Sequence, residues 1–239
     1  MDNPEYNEKY SRQTILNEIG VKGQELLRKA KVAIVGLGAL GTNTSELLTR
    51  SGIGNLTLID FDTIEHSNLQ RQTLFKEEDI KKSKVKIAKR ELNKINSLIK
   101  IETKQIILDE NNINELNQFD LILDCTDNLE TRFLINTFCK TNKIPWIYSA
   151  CVKTHGYVMP IFPQGPCLSC FLKQTDLDSA CTSGVINTIA TSISALQATL
   201  AIKIITKKEV KPKLIYYDVW NQIFKKMKIN PSCELCQTT

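Results

Sequence analysis

Apolar positions along the chain alternate between short β-branched runs and stretches with helical spacing. Residues 31–36 (KVAIVG) form such a run ending in glycine, and 39–50 follow with Leu40, Leu47 and Leu48 on one helical face. This predicts strand, tight turn, helix. A second apolar run over 56–60 (LTLID) closes a βαβ unit, whose parallel strands require a right-handed crossover, so the chain opens as a Rossmann-like half. Val85, Ala88, Leu92 and Ile95 predict a helix over 84–96, followed by a strand at 100–107, a buried strand at 119–125 and a helix at 130–140. Residues 144–150 and 157–162 read as further strands, with Pro160 and Pro163 pushing the second towards an edge and ending the parallel pattern. A loop over 165–184, a long helix over 185–206 and a hairpin from 213–219 and 224–229 complete the expectation. No repeat, low-complexity tract or separating linker interrupts it.

Composition narrows the class. The 239 residues are 42% hydrophobic and 24% charged, the profile of an ordinary globular chain rather than a fibrous or disordered one. A net charge of +5 and a pI near 8.7 suit an acidic or phosphorylated ligand, without the concentrated excess expected of a nucleic-acid binder. Residues 1–9 are polar and acidic, which argues against secretion and for a cytoplasmic protein. The charge-free stretch 182–202 is long enough to span a bilayer, but its Asn, Thr, Ser and Gln content predicts a buried helix and no membrane partner.

The candidate chemistry starts at Gly36, Gly38 and Gly41, a G-x-G-x-x-G between a strand and a helix, where bare backbone and unpaired helix amides can meet phosphate. Asp60 lies 22 residues after Gly38 at the end of the next strand, where a carboxylate accepts from ribose hydroxyls. A dinucleotide and ATP both fit this signature. Asn68, Arg71, Gln72 and Lys84, following Asp60 and Asp62, form a polar and cationic set suited to a triphosphate. Lys84 also fits a solvated lysine within the charge run 81–89. Asp127, beside Asn128 after a parallel strand, fits either a Mg²⁺ ligand or a helix cap.

Eight cysteines include two C-x-x-C knuckles, Cys167/Cys170 and Cys233/Cys236, each beside a proline. Four thiolates suit a closed, structural tetrahedral Zn²⁺ site, with disulfides or an iron–sulfur cluster as alternatives. Cys181 stands alone before the long helix and is either a nucleophile or an unremarkable loop thiol. Cys125, Cys139 and Cys151 read as small buried hydrophobes.

Together these residues resemble the MoeB/ThiF/HesA family, prokaryotic relatives of ubiquitin-activating enzymes. The resemblance runs from Tyr10-Ser11-Arg12-Gln13 through Gly36-Leu37-Gly38-Ala39-Leu40-Gly41, Asp60-Phe61-Asp62, the 67–72 segment (SNLQRQ), Lys84 and Cys125-Thr126-Asp127-Asn128 to both knuckles and Gly184-Val185. It implies one domain over 1–239, with an ATP-binding half (1–150) and a carrier-docking, zinc-binding half (151–239). The sheet would be parallel in the first half and more antiparallel in the second. It also implies a homodimer that adenylates the C-terminal glycine of a ubiquitin-like sulfur carrier ending in Gly-Gly, using ATP and Mg²⁺ and releasing pyrophosphate for thiamine or molybdopterin biosynthesis. In that family the residues matching Gly36, Gly38, Ala39, Gly41, Asp60, Asp62, Gln72 and Asn128 belong to the nucleotide site. Those matching Asn68, Arg71 and Lys84 contact phosphates, Asp127 holds magnesium, and Arg12 reaches across from the other subunit. Cys181 matches a thiol that bonds covalently to the carrier in some members. A separate sulfur donor is expected, since no sulfurtransferase domain follows Cys236. Residues 81–82 and Asn96-Ser97 depart from the usual pattern without touching this chemistry. An NAD-dependent oxidoreductase and a non-catalytic zinc-stapled module are the alternatives; the first lacks an evident acid or base beyond His66 and His155.

Overall fold

The computed structural model describes residues 4–172 and 183–237. Among them, eight strands form one sheet in the order β3-β2-β1-β4-β5-β6-β7-β8. These are β1 (Lys31–Val35), β2 (Asn55–Ile59), β3 (Lys100–Lys104), β4 (Leu121–Asp124), β5 (Trp146–Val152), β6 (His155–Ile161), β7 (Lys213–Asp218) and β8 (Ile223–Lys228). β3-β2-β1-β4-β5 pair in parallel, and β5 onwards pair antiparallel.

Both faces of the parallel part are covered, which is why β1 and β4 read as unbroken apolar runs rather than alternating ones. One face packs against α3 (Gly20–Lys29), α4 (Ala39–Ser51), α5 (Lys84–Ile95) and α7 (Asn187–Ile205), through Leu27, Leu48, Leu92 and Ile193 among others. The other packs against α6 (Leu129–Thr141) and the two cysteine knuckles, through Ile135, Phe138 and Leu168. Two short helices, α1 (Pro4–Lys9) and α2 (Ser11–Thr14), precede the sheet, and α8 (Glu234–Gln237) follows it.

The antiparallel half departs from expectation at β6. It pairs with β5 along its whole length and with β7 over His155–Val158, so it is an interior strand. Pro160 lies past the last β7 partner, where the missing N–H leaves no ladder bond unmade. The proline therefore marks where β7 stops, not the edge of the sheet.

The long apolar helix α7 is the segment among the described residues with the length and hydropathy of a membrane span. Here it lies along α4 and across β5 and β6. Three polar side chains, a turn apart, fasten it: Thr191 Oγ1 donates to Asn43 Oδ1 (3.4 Å), Ser194 Oγ to the Leu40 carbonyl (3.0 Å), and Gln197 bridges four groups.

A phosphate-ready cleft and a four-sulfur centre

At the C-terminal ends of β1, β2, β4 and β5 opens a cleft of about 540 Å³. Such a position, outside the carboxyl ends of parallel strands, is where ligands bind in open α/β sheets. Gly36 and Gly41 shape the loop at its base. Gly36 has φ +90°, and a Cβ there would stand 2.7 Å from the Cys125 carbonyl oxygen; a Cβ on Gly41 would stand 1.9 Å from that of Gly36. Gly41 therefore packs α4 onto the loop and does not itself line the cleft. At Gly38 the opposite holds: a Cβ would meet only the Gln72 side chain at 3.9 Å, so open space lies above bare backbone. Thr42 makes the first helical bond of α4 to Gly38, and the amides before it point towards that space.

Asp60 ties this loop to β2. Its Oδ2 accepts from the Leu37 N–H (2.6 Å) and its Oδ1 from the Asp62 N–H (2.8 Å), leaving further lone pairs on the cleft side. Burial raises its pKa above the usual aspartate value, against the pull of Lys84 and both amides. Lys84 is only 7% exposed, while Lys81, Lys82, Lys86 and Lys89 are solvated, so it is not one more lysine of the charge run. Its Nζ lies 2.9 Å from Asp62 Oδ2. Asn68 is buried and caps its own turn through the Glu65 N–H (3.1 Å), and Arg71 is held by the Ser67 carbonyl (2.7 Å). Gln72 is buried beside the glycine loop, with Oε1 lacking any hydrogen-bond partner.

From the other side come Thr126, Asp127 and Asn128. Asn128 caps α6 by accepting from the Thr131 N–H (3.2 Å), so the helix cap is not Asp127. Asp127 is exposed at the mouth and makes no hydrogen bond or ion pair among the described residues. Neither His66 nor His155 lines the cleft.

Several positioning residues have no motif to announce them. Arg132, on α6 and nearly buried, donates to the carbonyls of Thr126 and Ser149, lies 3.4 Å from Asp124 Oδ2, and stacks over the Tyr148 ring. Asp124 in turn accepts from the Thr126 N–H and hydroxyl (3.0 and 2.7 Å), and burial raises its pKa despite Arg132. Gln197 Oε1 accepts from Thr44 (2.9 Å) and Cys125 (3.3 Å), while Nε2 donates to the carbonyls of Asp124 (3.0 Å) and Ile147 (3.3 Å). These residues fix the loop that carries Asp127. Cys151, expected in the core, is half-buried and lines the cleft; burial pushes its thiol up to about 11, with Arg132 and Arg71 pulling the other way. Cys125 and Cys139 are buried as expected. Cys181 lies outside the described residues.

Arg12 is not in this cleft. Tyr10 is buried against Asn96 (2.6 Å) and Gln13 donates to the Ser51 carbonyl (3.0 Å), so the segment is fixed at the far end of α4 from the glycine loop. With about 1.5 Å of rise per residue, the 13 residues of α4 separate the two by about 20 Å.

The knuckles converge. The Sγ atoms of Cys167, Cys170, Cys233 and Cys236 all lie within 4.8 Å of one another, with neighbouring pairs at 3.5–3.6 Å. A disulfide would need about 2.05 Å. Tetrahedral Zn–S bonds of about 2.3 Å put ligand sulfurs about 3.8 Å apart, so the cluster fits Zn²⁺ with small adjustments. Burial pushes the Cys170 thiol up, but N–H donors from Cys167, Ser232 and Cys233 outweigh it and bring it to about 6. Asn136, fully buried on α6, accepts from the Leu168 N–H (3.0 Å) and points its amide at Cys167 Sγ (3.5 Å), locking the first knuckle to the sheet.

A glycine-loop cleft on a mixed sheet, with a four-cysteine centre clamping its far half, defines a nucleotide-binding α/β protein. The ThiF family model matches residues 10–238, and the chain belongs to that family. It is 38% identical over 218 residues to the sulfur carrier protein ThiS adenylyltransferase of Bacillus subtilis, covering 89% of this chain and 65% of that protein. It is equally 38% identical over 238 residues to the molybdopterin-synthase adenylyltransferase of Escherichia coli, covering 95% of each. The structure superposes on E. coli MccB with ATP at a TM-score of 0.86 and 28% identity, covering 98% of this chain and 76% of that one.

Proposed function

We propose that this chain uses ATP to adenylate the C-terminal glycine carboxylate of a ubiquitin-like sulfur carrier protein. The observation that carries this reading is the convergence of bare glycine backbone, Asp60, Asn68, Arg71, Lys84 and Asp127, from separate stretches of chain, on one cleft without a histidine. Adenylation needs no general base, because the attacking carboxylate is already ionised at neutral pH. Its oxygen bonds to the α-phosphorus as the bond to the β-phosphate breaks, and pyrophosphate leaves with the electron pair. Catalysis then reduces to alignment and charge neutralisation.

Asp60 accepts from the ribose hydroxyls, Gly38 and the amides opening α4 cradle phosphate, and Arg71, Lys84 and Asn68 hold the triphosphate. Gln72, with its unpaired Oε1, offers a further acceptor. Asp127 has a free carboxylate and fits Mg²⁺, which supplies charge neutralisation when bound. The cysteine centre holds a structural Zn²⁺ with no open position. In this reading 1–150 is the ATP-binding half and 151–239 the carrier-docking half, working in the cytoplasm with a separate sulfur donor. Cys181 is the thiol available for a covalent bond to the carrier.

The active form is a homodimer. Ile15, Leu16 and Val21, close in sequence to Arg12, stand exposed as an apolar patch that a second subunit can cover. Arg12, held about 20 Å from its own glycine loop, serves the partner's triphosphate. Mixing R12A with R71A subunits tests both points by ATP–pyrophosphate exchange in the presence of carrier. Each variant alone should be inactive, and random mixing should restore about a quarter of the sites, since half the dimers are mixed and each carries one intact site. Absence of recovery would place Arg12 within one subunit.

A further inference from the structure

Over residues 4–19, which include α1 and α2, Tyr10 is the one buried side chain. A segment so thinly packed has little apolar area to hold it in place. Two buried amides hold it instead. Asn96 Nδ2 donates to the Tyr10 hydroxyl (2.6 Å) and the Thr49 carbonyl (2.8 Å), and Oδ1 accepts from Lys9 Nζ (3.0 Å) and the Leu98 N–H (3.2 Å). Gln24 Oε1 accepts from Gln13 Nε2 (2.6 Å), and Nε2 donates to the Tyr6 hydroxyl (3.1 Å) and to the Ser51 carbonyl (3.2 Å), which Gln13 also meets (3.0 Å). Gly52 makes the room: its φ is +82°, and a Cβ would stand 2.6 Å from the Tyr10 ring and 2.8 Å from Gln24 Nε2.

Thr49 and Ser51 lie in the last turn of α4, where carbonyls run out of helical donors, so capping that end is one use of both amides. That use requires no bond to the N-terminal segment. The amides nonetheless bond to Lys9, Tyr6, Tyr10 and Gln13 there. A buried amide bonded this fully specifies one geometry more than it adds stability. Between the pinned Tyr10 and Gln13, Arg12 is exposed and makes no hydrogen bond or ion pair among the described residues. The network thus holds both flanks of a cation that finds no partner in its own subunit.

We infer that Asn96 and Gln24 are positioning residues for Arg12: through Tyr10 and Gln13 they fix the backbone on either side of it, so that its guanidinium meets the triphosphate bound by the other subunit. The inference rests on the dimeric adenylation reading, and adds that the aim of Arg12 is set inside the subunit that lends it. Helix α4 then opens at its own subunit's phosphate loop and ends on the segment lent to the other. Neither amide lines the cleft. Their loss therefore spares the nucleotide site of their own subunit and weakens the site of the other.

Subunit mixing separates this role from a plain structural one, with carrier-dependent ATP–pyrophosphate exchange as the readout. N96A alone should lose roughly 10- to 100-fold, since a misplacement of about 1 Å can cost about 10²-fold. Mixed with R71A, it should recover about a quarter of the sites, because in the mixed dimer the intact cleft of the N96A subunit is served by a correctly held Arg12. Mixed with R12A, it should fall below N96A alone, because no mixed dimer then holds an Arg12 correctly. A defect in the variant's own cleft gives the reverse, rescue by R12A and none by R71A. Should N96A fail to fold, Q13A, at a half-buried position, replaces it with the same pattern and a smaller loss. Wild-type rates in the variant, rescue by R12A, or rescue by neither overturns the inference while adenylation stands. In the control, no recovery from R12A with R71A places Arg12 within one subunit, and no exchange by wild type refutes adenylation itself; the inference falls with either.

Discussion

The two halves of the sheet solve different problems with different materials. The parallel half is buried on both faces and concentrates its chemistry in loops at one end of the strands. The antiparallel half ends in a solvated edge strand and is followed by a knuckle whose sulfurs meet those of Cys167 and Cys170, 66 residues earlier. The first half positions its chemistry through hydrogen bonds from single polar side chains to backbone, the second through a cluster of thiols.

The largest effect is expected at the cleft. D127N should lower carrier-dependent exchange by roughly 10²- to 10³-fold, the usual effect of deleting one charge-stabilising group, and leave the melting temperature unchanged because Asp127 is exposed and unbonded. Retained turnover would remove it from the mechanism. At the sulfur centre the effect should fall on the fold instead. C233S, or chelation, should lower the melting temperature by roughly 10 °C, since a closed Zn²⁺ site contributes folding free energy and about 1 kcal/mol moves a domain of this size by 2–4 °C. Nucleotide affinity of the folded fraction should persist, and metal analysis finding no zinc would refute the account of this half.

The smallest effect sharpens the cleft. Burial raises the Asp60 pKa, so on acidification its carboxylate takes up a proton at a higher pH than an exposed aspartate would. The KM for ATP should therefore rise as pH falls through that raised value, and D60N should give a uniformly high, pH-flat KM. The same shift means that ionised Asp60 lowers stability relative to its protonated form, a penalty absent below the ordinary aspartate pKa and complete above the raised one. A wild-type profile identical to that of D60N would take Asp60 off the nucleotide.

Much of this was legible because the signals are local. The glycine loop, Asp60, the 67–72 segment and the knuckles each announce themselves within a few residues, and β-branched runs located the parallel strands. What stayed hidden is carried by single polar residues on helices. Gln197 meets Asp124 across 73 positions, Arg132 braces Thr126 from inside α6, and Asn136 locks Leu168; no spacing rule links such pairs. The N-terminal helices α1 and α2 carry no such local signal, since the side chains that anchor them, Tyr10 and Gln13, bond to distant Asn96 and Ser51. Pro160 misled because a proline reports a missing donor, and only the length of β7 decides whether a donor was needed.

The measurement that bears most directly on the central claim is incorporation of labelled pyrophosphate into ATP by wild-type protein, with and without a ubiquitin-like carrier ending in Gly-Gly. Carboxylate adenylation predicts exchange that depends on the carrier, needs its terminal glycine carboxylate, and disappears in R71A. Binding of ATP without exchange, across the carriers tested and at saturating concentrations, would contradict it.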